Sequence, residues 1–82
     1  MEKRTRKKDI APEVIELGKR IESIIKSKNL KTRNVAFDAD LDVENLRKYI
    51  KGRQEMKITT LLRIAKALNV NPCELLTKKE AL

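Results

Sequence analysis

The stretch that decides the fold runs LKTRNVAFDADLDVENLRKYIKG, from Leu30 to Gly52. Its apolar spacing is typical of two short helices that meet at a tight turn, and not of one long helix or a strand pair. The turn is predicted near Asp40 to Asp42. The apolar residues that carry this pattern are Leu30, Val35, Ala36, Ala39, Leu41, Leu46, Tyr49 and Ile50.

The second of these helices is predicted to run from Val43 to about Lys51. Asp42 is placed as its N-cap, because a carboxylate there can accept from the first free backbone N–H groups. Gly52 ends the helix. The inward side is expected to hold Leu46, Tyr49 and Ile50. The outward side carries three cations and one amide among Val43, Glu44, Asn45, Arg47, Lys48 and Lys51.

The composition fits one small basic domain. In 82 residues, 20 Lys and Arg stand against 12 Asp and Glu, which gives a net charge of +8 and a pI near 9.9. This balance favours a polyanionic partner such as nucleic acid, and the alternative is a soluble basic protein without one. A core this small gives a thin margin of stability, which a second copy would increase.

The residue types exclude several functions. Cys73 is the single cysteine and histidine is absent, so an internal disulfide, an ordinary zinc site and a Cys-His nucleophile pair are excluded. We interpret Cys73 as a small apolar filler at the start of a helix. The sequence also has no clustered acid pair and no glycine-rich phosphate loop, so no group of residues indicates a catalysed reaction. We therefore predict no enzyme activity, no cofactor, no metal and no small-molecule ligand.

The sequence also lacks targeting signals. No run approaches the roughly 20 apolar residues that cross a bilayer, and no apolar region of a secretory signal follows the basic N-terminus. We expect a cytoplasmic protein. Residues 1–10 contain several cations and no apolar periodicity, and they are predicted to form a flexible arm. The arm either binds DNA, by following the phosphates or entering a minor groove, or is a solvated tail.

Helix one is predicted to begin at Pro12, since proline suits a first helical turn, and to end near residues 26–28. Asn29 closes it, and Leu30 is expected to enter the core. Gly18 lies inside this helix, where glycine costs about 1 kcal/mol relative to alanine. We interpret it as a mark of close packing and not of a ligand.

Two further helices follow the central pair. Asn71, Pro72 and Glu74 supply a cap, a first-turn proline and a reaching acid, which together predict the start of helix five. Apolar spacing defines helix four. The residues expected to face the core are Ile58, Leu61, Leu62, Ala65 and Leu68 in helix four, with Leu75 and Leu76 in helix five. For Leu76 a place in a dimer interface is the alternative.

This ordered series resembles the lambda-repressor-like family, the Cro and Xre type of bacterial and phage regulator. The resemblance runs without a gap from Leu17 to Leu76. It rests on LGKRI at Leu17 to Ile21, on Val35, Ala36, Ala39, Leu41, Leu46 and Gly52, on TLLRIAKALNV at Thr60 to Val70, and on Glu74, Leu75 and Leu76. It implies an all-α, compact five-helix domain at residues 11–78, with helices 2 and 3 as the helix-turn-helix. Residues 79–82 are expected to fray, as chain ends commonly do.

The chain departs from the family pattern at three helix ends. Thr32, which we expect to cap helix two, stands where the family commonly has Gln. Asp40 stands where it usually has Gly, and the turn stays feasible at about 1 kcal/mol of strain, because Asp enters the left-handed region more readily than most residues. Lys57 replaces a frequent capping Ser, so the start of helix four is expected to fray or to be capped by a neighbour.

By resemblance, helix 3 enters the major groove of double-stranded DNA and reads bases near its N-terminus. The base-reading candidates are Val43, Glu44, Asn45 and Lys48. Their chemistry suits a thymine methyl for Val43, adenine for Asn45 and guanine for Lys48. Glu44 either accepts from a cytosine amino group or pairs with Lys48 one turn on. Backbone contacts are assigned to Lys31, Thr32, Arg33, Arg47, Lys51, Arg53 and Gln54.

The leading hypothesis is a sequence-specific DNA-binding transcriptional regulator, a repressor, working as a homodimer whose recognition helices lie about 34 Å apart. The alternative is a protein-interaction module of the same fold, antitoxin-like or a scaffold, with weak or no specific DNA binding. Thr32, Asp40 and Glu44 keep that alternative open. RNA binding is disfavoured, because one Tyr and one Phe offer little stacking surface.

Overall fold

A computed structural model describes residues 10–76, which form five α-helices and, over that range, no strand. The helices are α1 Pro12–Ser27, α2 Thr32–Asp38, α3 Val43–Ile50, α4 Ile58–Leu68 and α5 Pro72–Leu76. The predicted all-α fold is confirmed, with α2 and α3 as the helix-turn-helix. The predicted arm lies outside the described residues except for Ile10, and the predicted C-terminal segment at 79–82 lies outside them entirely.

A single apolar cluster joins the five helices. α3 packs against α1 and α2, while α4 packs against α2 and α5. Because two helices cover one side of α3, its opposite side is left to solvent. The buried residues of the cluster are Ile21, Ile25, Val35, Ala36, Ala39, Leu46, Tyr49, Leu61, Ile64, Ala65, Leu68 and Leu75.

The first four helices end in the same way, at a residue with left-handed backbone. These residues are Asn29, Asp40, Gly52 and Asn69, with φ of 57°, 60°, 70° and 62°. In each case the following N–H donates to the carbonyl five residues back, the hydrogen bond that closes a Schellman motif. The bonds join Leu30 to Ile25, Leu41 to Ala36, Arg53 to Lys48 and Val70 to Ala65. The predicted ends at Asn29, Asp40 and Gly52 are thereby confirmed.

Several apolar residues predicted to be inward lie at the surface. The exposed fractions are 37% for Leu30, 70% for Ile58, 46% for Leu62 and 60% for Leu76. The inward face of α4 includes Ile64, which is fully buried and which the predicted stripe omitted. Two different stripes fit the same helix, and the packing of α2 and α5 selects one. Cys73 is exposed as well, so its interpretation as an apolar filler is wrong.

The predicted caps are correct in position more often than in bonding. Asp42 has the extended backbone of an N-cap, but its carboxylate makes no capping hydrogen bond within the described residues. Thr32 is the first residue of α2, and Lys31 precedes it as the N-cap, so capping by Thr32 is wrong. At α5 the predicted start signal is confirmed, because Glu74 Oε2 accepts from the backbone N–H of Asn71 at 3.3 Å.

Candidate nucleic-acid interface

The end of α3 rests directly on the backbone of α1. Gly18 is buried at this contact, and a Cβ placed on it would lie 2.5 Å from the carbonyl oxygen of Ile50 and would also overlap the carbonyl oxygen of Tyr49. No larger residue fits without a shift of backbone. The interpretation of Gly18 as a mark of close packing is thus confirmed, and the partner in that packing is the helix that carries the candidate site.

Most of the candidate DNA-contacting residues lie at the surface. Those in the exposed class are Lys31, Arg33, Glu44, Arg47, Lys48, Lys51, Arg53 and Gln54. Glu44, Lys48 and Lys51 follow one another at helical spacing, so they lie along one outward strip of α3 and its C-cap. This arrangement leaves three long charged side chains in a row on the outward side of α3.

The remaining three candidates are half-buried. Thr32 lies at the start of α2, and Val43 at the start of α3, where its side chain packs against the apolar core. Asn45 is partly exposed and shares a face with Lys48, three residues on. Val43 was expected on the outward side, but the core covers part of its surface.

Glu44 pairs with a different cation from the one expected. Its Oε2 accepts from Arg47 Nη1 at 3.2 Å, an i,i+3 contact between side chains that are 68% and 50% exposed. The predicted partner was Lys48. In this conformation Glu44 partly neutralises the positive charge of Arg47, whereas the ammonium group of Lys48 is not paired with Glu44.

The surface formed by the eleven candidates is basic. Six of them are cations and Glu44 is the single acid. The turn before α3 has the opposite sign, since Asp38, Asp40 and Asp42 are all exposed. The charge is therefore positive on α3 and on the loop after it, and negative at the turn.

Two cations, Arg20 in α1 and Lys28 just after it, stabilise the scaffold through partners that the sequence did not predict. Arg20 Nη1 donates to the carbonyl oxygen of Leu75 at 2.9 Å, and Lys28 Nζ donates to that of Leu68 at 2.9 Å. Leu68 is the last residue of α4, where free carbonyls and the helix dipole favour a cation. Sequence spacing gives no signal for such pairs, because their members lie 55 and 40 residues apart.

A short exposed basic helix, joined by a tight turn to a second helix and backed by a core, defines a helix-turn-helix DNA-binding domain. The sequence profile of the Cro/C1-type HTH DNA-binding domain matches residues 20–80. The chain belongs to this family.

Solved structures share the fold. The restriction-modification controller protein C.AhdI from Aeromonas hydrophila is 25% identical with a TM-score of 0.76, over 79% of this chain and 98% of its own. The clp gene regulator ClgR from C. glutamicum is 21% identical with a TM-score of 0.76, over 80% and 86%. The hypothetical transcription factor NHTF from Neisseria is 17% identical with a TM-score of 0.72, over 94% and 85%.

No curated protein is similar enough in sequence to count as a match. Within residues 10–76, no helix has the length and apolar character needed to cross a membrane. The same residues contain no group of three or more potential metal ligands.

Proposed function

We propose that this protein is a sequence-specific double-stranded DNA-binding transcriptional regulator that acts as a repressor. The observation that carries the proposal is the exposed basic strip of α3, held on the core with Lys48 and Lys51 facing solvent. An α-helix fits the major groove of B-form DNA, where base edges are distinguishable. Repression requires only occupancy of a promoter, which a DNA-binding domain provides by itself.

We assign the roles of the side chains from their exposure on α3 and the loop after it. Asn45 and Lys48 read bases from α3. The part of the Val43 side chain that the core does not cover contacts a thymine methyl. Lys51 and Arg53, on either side of Gly52, contact phosphates and fix the orientation of the helix. Lys31, Thr32, Arg33, Arg47 and Gln54 add backbone contacts.

The active species is proposed to be a homodimer in the cytoplasm. One copy covers about half of a typical operator, and two copies place their α3 helices about 34 Å apart on one face of the duplex. Leu62 and Leu76 are exposed apolar side chains on α4 and α5, and Leu62 lines an open groove with Val70 and Pro72. A second copy would remove this apolar surface from water.

One selection of bound duplexes from a random pool tests the proposal. We expect a consensus sequence, together with an affinity that falls steeply with salt, because neutralised phosphates release counterions. Lys51→Ala and Arg53→Ala should weaken binding alike on all sequences. Asn45→Ala should relax preference at one position by about 1 to 3 kcal/mol. Identical sequence profiles for the wild type and Asn45→Ala would refute the assignment of Asn45.

A second candidate function is a protein-interaction module of the same fold. Phe37 favours it, since this side chain is 83% exposed on α2, beside the acidic turn. The pairing of Glu44 with Arg47 also reduces the charge available to DNA. Binding that stays weak and never discriminates among duplexes in the same selection would support this second function.

A further inference from the structure

We propose that Gly18 is a positioning residue for DNA binding, an inference that rests on the proposed function. It acts through a contact that we name the glycine seam, formed by Gly18 and Ile15 of α1 against residues 49–52 at the end of α3. The seam sets how far Lys51 and Arg53 project toward phosphates.

The first half of the seam is the contact of Gly18 with two carbonyl groups. A Cβ on Gly18 would lie 2.5 Å from the Ile50 oxygen and would overlap the Tyr49 oxygen, so the glycine presents a C–H group to both. These oxygens belong to backbone, which cannot turn aside as a flexible side chain would. Glycine is also unfavourable inside a helix, and α1 retains it where alanine would hold the helices apart.

The second half is the contact of Gly52 with Ile15. Gly52 is buried with φ of 70°, and a Cβ there would lie 3.0 Å from both Cα and Cγ1 of Ile15. Its N–H donates to the Tyr49 carbonyl at 3.0 Å, the same group that lies against Gly18. Ile15 and Gly18 are three residues apart on one face of α1. Two contacts on one face fix both the distance and the tilt of the end of α3.

The two cations move with this end. Lys51 and Arg53 flank Gly52, and their backbone N–H groups donate to the carbonyls of Arg47 and Lys48, each at 3.0 Å. Nearer its start, α3 is held by Val43 and Leu46, which pack in the apolar cluster, and by its packing against α2. Widening the seam therefore displaces the phosphate-binding cations more than it displaces Asn45.

The experiment compares Gly18→Ala with wild type in the full chain, and Ser23→Ala serves as the matched control. Ser23 is exposed on α1, so the control also raises helix propensity without touching the seam. For Gly18→Ala we expect the slope of log affinity against log salt to fall by about 1 to 2 units, since roughly 0.9 counterions accompany each phosphate contact. The selected duplex sequence should stay the same.

A double-mutant cycle identifies the route of the effect. In a Lys51→Ala, Arg53→Ala background, Gly18→Ala should lower affinity by less than about twofold, because residues that act as one unit are not additive. An equal loss in both backgrounds would overturn the proposal. So would a folded Gly18→Ala protein with the affinity and salt slope of wild type.

Two further outcomes are distinguishable: wild type binds no DNA, or Gly18→Ala does not fold. Wild type that binds no duplex contradicts the proposed function, and the role of the seam in DNA binding with it. If Gly18→Ala does not fold, Ile15→Ala takes its place, because a side chain that is 39% exposed can be truncated without loss of the core. A smaller fall in salt slope supports the proposal, and a slope unchanged from wild type overturns it.

Discussion

Lys28 and Leu68 are joined across the fold, 40 residues apart in sequence, by a hydrogen bond of 2.9 Å from the lysine Nζ to the leucine carbonyl oxygen. The same ammonium group lies 3.4 Å from the carbonyl oxygen of Asn69. Both carbonyls belong to the C-terminal end of α4, the negative end of its dipole. One cation thereby ties the end of α1 to the end of α4.

Lys28→Met should lower the free energy of unfolding by about 1 to 2 kcal/mol, because it removes a charged donor and keeps the apolar stem. Chemical denaturation measures the change, and DNA affinity should not change. Lys26→Met is the control. Lys26 is 76% exposed and 3.8 Å from Glu22, so its loss should cost less than about 0.5 kcal/mol. Equal losses in the two variants would contradict the role given to Lys28.

Asp40→Gly should stabilise the protein by about 1 kcal/mol. Asp40 has φ of 60°, a region where a Cβ is strained and glycine is not. The thermal midpoint should rise by roughly 4 to 8 °C, as expected for a domain of this size. Asp40→Ala removes the charge but keeps a Cβ. A gain as large for Ala as for Gly would assign the effect to charge and not to backbone.

Glu44→Gln should raise affinity for all duplexes alike, because Arg47 is released from its 3.2 Å partner and becomes free to contact phosphate. The salt slope should steepen by up to about 1 unit. Glu16→Gln on α1 is the charge-matched control, since Glu16 is exposed. If Glu44 instead reads a cytosine, the selected sequence loses its preference at one position.

Leu75→Ala and Leu76→Ala should differ sharply although the two residues are adjacent. Leu75 is fully buried, so its truncation should cost about 2 to 5 kcal/mol. Leu76 is 60% exposed, so its truncation should change monomer stability by less than about 0.5 kcal/mol. Denaturant titration at low protein concentration measures both. Similar costs for the two variants would mean that Leu76 is covered in solution.

Local signals predicted the helices well. Pro12, Asn29 and Gly52 each act on the nearest turn of backbone, and the structure places a helix start or end at each of them. The start signal at Asn71 to Glu74 also acts within four residues, and it holds. A capping hydrogen bond also depends on the side-chain rotamer, which the sequence does not predict. Within residues 10–76, the Asp42 side chain makes no capping hydrogen bond to α3.

Which face of a helix is buried was harder to predict from the sequence. Ile58 and Leu62 fit a helical stripe as well as Ile64 does, and the burial of Ile64 became visible only with α2 and α5 in place. At the candidate site, the outward position of Lys48 and Lys51 agrees with the sequence pattern. The partner of Glu44 does not, because Arg47 and Lys48 are both within reach of it at helical spacing. The DNA-contacting roles of these residues remain predictions.

The sequence by itself determined the five helices, their order and the basic character of α3, because periodicity, caps and charge act over a few residues. Only the tertiary structure decided which helix faces meet. It also decided that Gly18 lies against the Tyr49 and Ile50 carbonyls and that Lys28 donates to the carbonyl of Leu68 at the end of α4. Those contacts join residues some 30 to 40 positions apart in the chain. Their geometry follows from how whole helices pack, which no local pattern encodes.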